Sequence, residues 1–193
     1  MLYSIYNWAL ALAAHRYAVF ALFIISFLES SFFPIPPDVI LIPMIIAARE
    51  KAWWIAFVCT LASVLGGIAG YYVGVYFFEE IGRPVLEFYD YGLKFGHFQA
   101  KYNEWGAWVV FMAGVTPFPY KVITILSGVT GLNLPVFIFA SILARGLRFF
   151  VLAGLLWKYG ASIENFIKRR LGILFTLFCV LLFGGVIVVK YLL

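Results

Sequence analysis

Apolar residues in this chain come in blocks of unequal length, and the breaks between the blocks carry most of the information. Tyr17 to Ser31 and Val39 to Ala48 are two short apolar runs, separated by Phe32-Phe33-Pro34-Ile35-Pro36-Pro37 and ended by Arg49-Glu50-Lys51. Pro34, Pro36 and Pro37 remove backbone donors and clash with a helical path. One kinked span and a hairpin that enters and leaves on one side compete here. Neither arm reaches the roughly 20 residues that a crossing needs, and both together are long for one crossing, which favours the hairpin. Ala52 to Phe78 is long enough to cross, starts at Trp53 and Trp54 as an interfacial belt, and carries Gly66, Gly70 and Gly74 at four-residue intervals. That spacing predicts a smooth helix face on which another helix packs closely.

Glu79 to Glu104 is the polar stretch, expected to be a loop with short interfacial helices whose Tyr89, Tyr91, Phe95 and Phe98 lie against headgroups. Gly106 to Val115 and Val122 to Val129 then repeat the interrupted pattern around Thr116-Pro117-Phe118-Pro119. Leu134 to Trp157 is a second crossing, a basic loop with Lys158 and Lys168-Arg169-Arg170 follows, and a plain apolar helix is expected over 171–190.

The two breaks are copies of one another. Pro34-Ile35-Pro36-Pro37-Asp38-Val39-Ile40 and Pro117-Phe118-Pro119-Tyr120-Lys121-Val122-Ile123 superpose at an offset of 83 residues, with an acid in one copy and a base in the other. Each half, about 17–78 and about 105–157, is then a hairpin followed by one crossing. One crossing per half inverts the second relative to the first, the arrangement of inverted-repeat transporters, in which matched broken segments point to the binding site. The expected fold is an all-α polytopic membrane protein, a single domain over 1–193: an inverted repeat of re-entrant helical hairpin plus transmembrane helix, with an additional C-terminal transmembrane helix. Arg16, Arg49, Lys51, Lys158, Lys168, Arg169 and Arg170 would lie on one side, and Arg83, Lys94, Lys101 and Lys190 on the other. That excess favours the first side as cytoplasmic.

Composition agrees with the pattern. The chain has 193 residues, is 65% hydrophobic and only 12% charged, with a mean hydropathy of +1.01. A soluble domain would be about one quarter charged. The first charged side chain is Arg16, so the basic start of a cleavable signal is missing and the first apolar segment is expected to stay. The net charge of +5 forms no basic stripe, which sets nucleic acid aside as a partner and fits loop bias and anionic lipid. Cys59 and Cys179 lack zinc or CxxC spacing, and His15 and His97 are lone, so neither a metal nor a cofactor is expected. There is no HExxH, no GxSxG and no glycine-rich phosphate loop before a lysine, and an enzyme is not expected.

Five charges fall inside the apolar segments: Glu29, Asp38, Lys121, Arg145 and Arg148. A charge at mid-bilayer costs at least about 2.5–3.5 kcal/mol, so these must be paired, protonated or facing water. The two hairpins are expected to meet near mid-membrane with Glu29 and Asp38 facing Lys121, and with Arg145 and Arg148 one turn apart on the neighbouring helix. Structural ion pairs that hold the hairpins together are the competing account. The preferred one is a substrate and ion pathway for an anionic headgroup, a phosphate in particular. Thr116 and Ser127, and in the first half Ser30 and Ser31, are weaker candidates for polar contacts, because small hydroxyls in membrane helices usually bond to their own backbone.

Glu29-Ser30-Ser31-Phe32-Phe33-Pro34-Ile35-Pro36-Pro37-Asp38, Gly70-Tyr71-Tyr72-Val73-Gly74, Gly114-Val115-Thr116-Pro117-Phe118-Pro119-Tyr120-Lys121 and Ala144-Arg145-Gly146-Leu147-Arg148-Phe149-Phe150 resemble the DedA, or SNARE-associated (VTT-domain), family, most closely its YqaA-like branch. The resemblance covers about residues 17–160 and implies a multi-pass protein of the cytoplasmic membrane with two re-entrant hairpins. Relatives are linked to moving lipids or lipid-phosphate carriers between leaflets, some with dependence on the proton gradient. Glu29 and Asp38 match the family's acidic positions. The family's Gly-Arg-x-x-Pro-x-x-Arg motif is altered, with Gly114 and Tyr120 at the places of its two arginines and Lys121 one residue later. The positive charge is therefore expected from Arg145 and Arg148. A lipid or lipid-phosphate transporter, proton-coupled or scramblase-like, is the leading expectation. A non-transporting scaffold that supports membrane integrity is the alternative. With about three full crossings, a homo-oligomer is the candidate means of enclosing a pathway.

Overall fold

A computed structural model describes residues 17–31, 36–89, 91–116 and 118–160. Pro34, Pro117 and the expected helix over 171–190 lie outside them, as does the basic stretch at 168–170. The described residues are helical and contain no strand. Helix α1 spans Ala18–Ser31 and α2 Asp38–Ala47; α3 spans Ala52–Phe77, entered through a short 3₁₀ turn at Arg49–Lys51. A π-turn at Phe78–Gly82 carries α3 into α4 at Arg83–Phe88, so that the helical path runs unbroken from Arg49 to Phe88. Helix α5 spans Gly92–Val115, α6 Tyr120–Val129 and α7 Leu134–Gly160. Two helices, Arg49–Phe88 and Leu134–Gly160, are long and apolar enough to cross a membrane.

The prolines act by starting helices. Pro37 has helical φ −65° and ψ −20°, and its carbonyl accepts from the amides of Ile40 and Leu41 at 3.0 and 2.9 Å. Pro119 holds ψ at 101°, turning the chain just before α6, and accepts from Val122 at 3.1 Å. Proline at the first positions of a helix sacrifices no bond, because those amides have no partner in the helix. The same logic sharpens the expectation of a loop with short interfacial helices over 79–104: Arg83–Phe88 is a short helix, and most of the rest is the first half of the long α5. Pro84 sits in the first turn of α4, and Gly92 and Gly96 fall in the first two turns of α5. These breakers therefore delimit helices instead of melting the stretch.

Helix bounds repeat at the 83-residue offset. Moved by 83, α2 falls on 121–130, beside α6 at Tyr120–Val129, and α3 falls on 135–160, within α7. Likewise α1 falls on 101–114, inside α5. Two apolar clusters show how the halves sit together. The first joins Leu22 of α1, Ile40, Leu41 and Ile45 of α2, Ile55 and Cys59 of α3, and Phe149, Ala153 and Leu156 of α7. The second joins Tyr71 of α3, Val110 of α5, Tyr120 and Ile123 of α6, and Phe137 and Ala140 of α7. The start of α3 thus meets the end of α7 and the reverse, so that these two helices run antiparallel, with one broken segment packed at each end.

Close approach along α3 depends on its glycines. A Cβ on Gly66 would strike the backbone carbonyl of Phe27 in α1, and one on Gly74 the carbonyl of Ile125 in α6. The glycine face therefore serves both broken segments, as small residues do where membrane helices pack backbone to backbone.

Candidate functional site

The polar groups of the two halves gather between the apolar clusters. Glu29 lies in the last turn of α1 and Asp38 opens α2, so the two acids flank the first break. Arg145 and Arg148 are one turn apart on α7, which places both guanidinium groups on one side of that helix.

Arg145 sits in a closed cage. Its Nη2 donates to Glu29 Oε2 at 2.9 Å and its Nε donates to Ser63 Oγ at 2.6 Å. Ser63 and Ser30 share a hydrogen bond of 2.7 Å, and Ser30 Oγ donates to Glu29 Oε2 at 3.0 Å. Arg145, Ser63, Ser30 and Glu29 thus form a ring of four bonds. The rings of Tyr120 and Phe149 each lie 4.8 Å from the guanidinium carbon, within the range of cation–π attraction. The Arg145 side chain is 1% exposed and that of Glu29 15%. A charge so enclosed is tolerated because donors and acceptors are matched around it.

Arg148 sits in an open pair. It bonds Asp38 Oδ2 through Nη2 and reaches the backbone carbonyl of Thr116 through Nη1 at 3.3 Å. The two side chains are 21% and 23% exposed. Asp38 Oδ1 is shielded and has no hydrogen-bond partner among the described residues. Both side chains line a cleft of about 620 Å³ whose remaining walls are Ile42, Val115, Leu147, Val151, Leu152 and Leu155. Charge at one point and hydrocarbon everywhere else define this space.

The two arginines share a further property. Arg145 touches Glu29 beside the first break and the Tyr120 ring at the second, while Arg148 touches Asp38 beside the first break and Thr116 at the second. One turn of α7 therefore ties both broken segments together. Thr124 of α6 adds a direct bond between the segments, donating to the carbonyl of Ser30 at 3.1 Å.

Of the expected site residues, Glu29, Asp38, Arg145 and Arg148 come together, but their pairing differs from expectation. Neither acid faces Lys121. That lysine is half-buried in the first turn of α6 and forms no ion pair among the described residues. The physical reason is reach: α7 passes both acids and offers forked guanidinium donors, which match a carboxylate better than a single ammonium. Thr116 contributes its carbonyl, while its hydroxyl turns back to Ala113 at 3.4 Å. Ser127 is elsewhere, buried and bonded to Tyr102 at 3.0 Å in the second apolar cluster. Ser31 bonds the Phe27 and Gly66 carbonyls and belongs to the α1–α3 contact. Pro36, Pro37 and Pro119 set the helix starts.

Ser63, Thr124 and Tyr120 complete the site and carried no strong signal in the sequence. Ser63 does lie on the glycine face of α3, one turn before Gly66 and Gly67, and Ser26 and Ser30 are one turn apart on α1. Matching small polar residues on two apolar helices is the pattern that would have found the Ser26–Cys59 and Ser30–Ser63 contacts.

Among the described residues these features define an all-helical protein with two helices long and apolar enough to cross a membrane and two matched helix breaks bridged by ion pairs. A profile of the VTT domain matches residues 35–158. The chain belongs to the VTT-domain, or DedA, family of membrane-associated proteins. It is 36% identical over 169 residues to an uncharacterized protein of Haemophilus influenzae, covering 86% of this chain and 88% of that one. An uncharacterized protein of Histophilus somni is 37% identical over 169 residues, with the same coverage of 86% and 88%. An uncharacterized protein of Methanocaldococcus jannaschii is 28% identical over 133 residues, covering 68% of this chain and 79% of its own length. No solved structure matches.

Proposed function

We propose that this protein is a multi-pass transporter of the cell membrane that moves a lipid or lipid-linked phosphate between leaflets and carries out no covalent chemistry. The two broken segments are its re-entrant hairpins. Glu29, Asp38, Arg145 and Arg148 line or frame the pathway, and an anionic phosphate headgroup is the polar part of the cargo. The observation that carries this reading is the cleft at Asp38 and Arg148, where an ion pair bridging both breaks opens onto apolar walls. Irregular backbone at membrane depth is tolerated where it is covered by protein or lines a cavity, and a charge there marks a substrate or ion path. Apolar walls suit acyl or prenyl chains, and the guanidinium suits phosphate.

The test is leaflet exchange of labelled phospholipids and of a polyprenyl phosphate in liposomes that hold the purified protein, with and without a proton gradient. Exchange that the folded Asp38→Asn and Arg148→Gln proteins lose supports the reading, and dependence on the gradient separates coupled transport from scrambling. No exchange of either lipid class moves the weight to a scaffold. The enclosed Glu29–Arg145 ring favours that second reading, since it has the form of a clamp between halves. Joint replacement of Glu29 and Arg145 by apolar residues, with full retention of cellular function, would establish it.

A further inference from the structure

We infer that Arg148 is an anion-binding residue whose resident occupant is Asp38, and that a lipid phosphomonoester takes Arg148 by displacing that carboxylate. The proposal rests on the transport reading only in treating the bound lipid as cargo.

Geometry shows the resident pair to be a poor use of the guanidinium. Arg148 gives one donor to Asp38 Oδ2 and one, at 3.3 Å, to the Thr116 carbonyl, near the long limit for such a bond. A guanidinium has five donors in a fork that grips two oxygens of one phosphate side by side. Asp38 offers a single oxygen, and its other oxygen has no partner among the described residues. A phosphomonoester carries about −1.5 to −2 charges near neutral pH against the single charge of a carboxylate, so it competes on charge as well as on shape.

The cleft says what is attached to that phosphate. Leu147, Val151 and Leu155 are about half-exposed and follow one another at one-turn intervals from the level of Arg148 towards the end of α7. They form an open apolar lane roughly 12 Å long, reached from the side as a lipid would reach it. Free phosphate gains nothing from such a lane, and a chain without phosphate has no use for Arg148. Displacement has a mechanical consequence too. Asp38 is the first residue of α2, so losing it from Arg148 frees the start of α2 from α7, while Glu29 keeps α1 attached through Arg145. Binding therefore loosens one arm of the first broken segment and leaves the other in place.

Titration calorimetry on the purified full chain in detergent tests this with short-chain phosphatidic acid, the matching diacylglycerol and inorganic phosphate. A state that occupies the site weakens apparent affinity by the fraction of protein it holds, so removing the competing carboxylate in Asp38→Asn should tighten phosphatidic acid binding about tenfold. Arg148→Gln should lose that binding, Asp38→Glu should keep the wild-type affinity, and Asp38→Ser serves where the asparagine protein unfolds. Wild-type or weaker affinity in both neutral variants overturns the proposal, as does inorganic phosphate or diacylglycerol binding as tightly as phosphatidic acid. Leaflet exchange is read separately. The expected affinities without any exchange remove the transport reading and leave the site standing, whereas exchange without tighter binding in Asp38→Asn removes the displacement and leaves transport standing.

Discussion

The two ion pairs of this protein use the same chemistry, lie one turn apart on α7 and bridge the same two breaks, yet they are built for different ends. Glu29–Arg145 is enclosed by two serines and two aromatic rings, with the arginine 1% exposed. Asp38–Arg148 has one long auxiliary bond, a carboxylate oxygen without a partner, and side chains 21% and 23% exposed on a cleft. An enclosed charge is stable only with its partner, so the first pair behaves as a fixed joint. A partly exposed charge can trade its partner for water or ligand, so the second has room to act. Satisfaction of the surrounding groups, more than the pairing itself, separates the sealed pair from the open one.

That contrast can be broken in graded ways. The largest effect is expected from Arg145→Met, which leaves the Glu29 carboxylate enclosed without its base. Breaking a buried pair from one side costs about 3–5 kcal/mol, visible as a lower melting temperature in detergent or as loss of folded protein. Adding Glu29→Gln to Arg145→Met should recover most of that loss. A double variant as unstable as the single one would mean that the pair is not the joint described here. Next in size is Gly66→Ala, whose methyl group meets the Phe27 carbonyl two residues before Glu29. Overpacking of this kind costs about 1–3 kcal/mol, and its melting-temperature loss should exceed that of Arg148→Gln.

Arg148→Gln sharpens the comparison from the other side. The pair opens onto a cleft and already leaves one carboxylate oxygen without a partner among the described residues, so its loss should lower the melting temperature by less than Arg145→Met does, with the protein still folded while leaflet exchange falls to background. A melting temperature that drops as far as in Arg145→Met would erase the distinction between the pairs. Smallest of all is Lys121→Gln. With no ion pair to lose among the described residues, its stability should remain within about 0.5 kcal/mol of wild type by the same melts.

Much of the architecture was legible before any coordinates. Short apolar runs broken by prolines, two longer runs and the duplicated Pro-x-Pro motif announced the helices, and α2, α3, α6 and α7 fall where the pattern placed them. Local chemistry accounts for this: a proline lacks a backbone donor wherever it stands, and hydropathy needs no partner to be read. Over 79–104 the pattern announces short helices within a loop, whereas the described residues there are almost continuously helical, because Pro84, Gly92 and Gly96 break a helix or begin one according to position, which the sequence leaves open. Embedded charges were recognisable by their cost alone, which is why Glu29, Asp38, Arg145 and Arg148 were found together.

Their pairing was not recognisable. Repeat matching set Asp38 opposite Lys121, but α7 carries two arginines past both acids, and matching in sequence is no measure of distance. Ser63 and Thr124 entered the site through bonds that span 82 and 94 residues, Arg145 to Ser63 and Thr124 to Ser30, and Tyr120 through its ring against the Arg145 guanidinium. By itself, then, the sequence determined that the chain is helical, apolar, twofold repeated and burdened with charges that need partners. Only the tertiary structure decided which acid takes which arginine, and that one pair is sealed while the other is open. Hydrophobicity and backbone propensity are properties of a residue and its neighbours along the chain, whereas the satisfaction of a buried charge depends on every helix that packs around it.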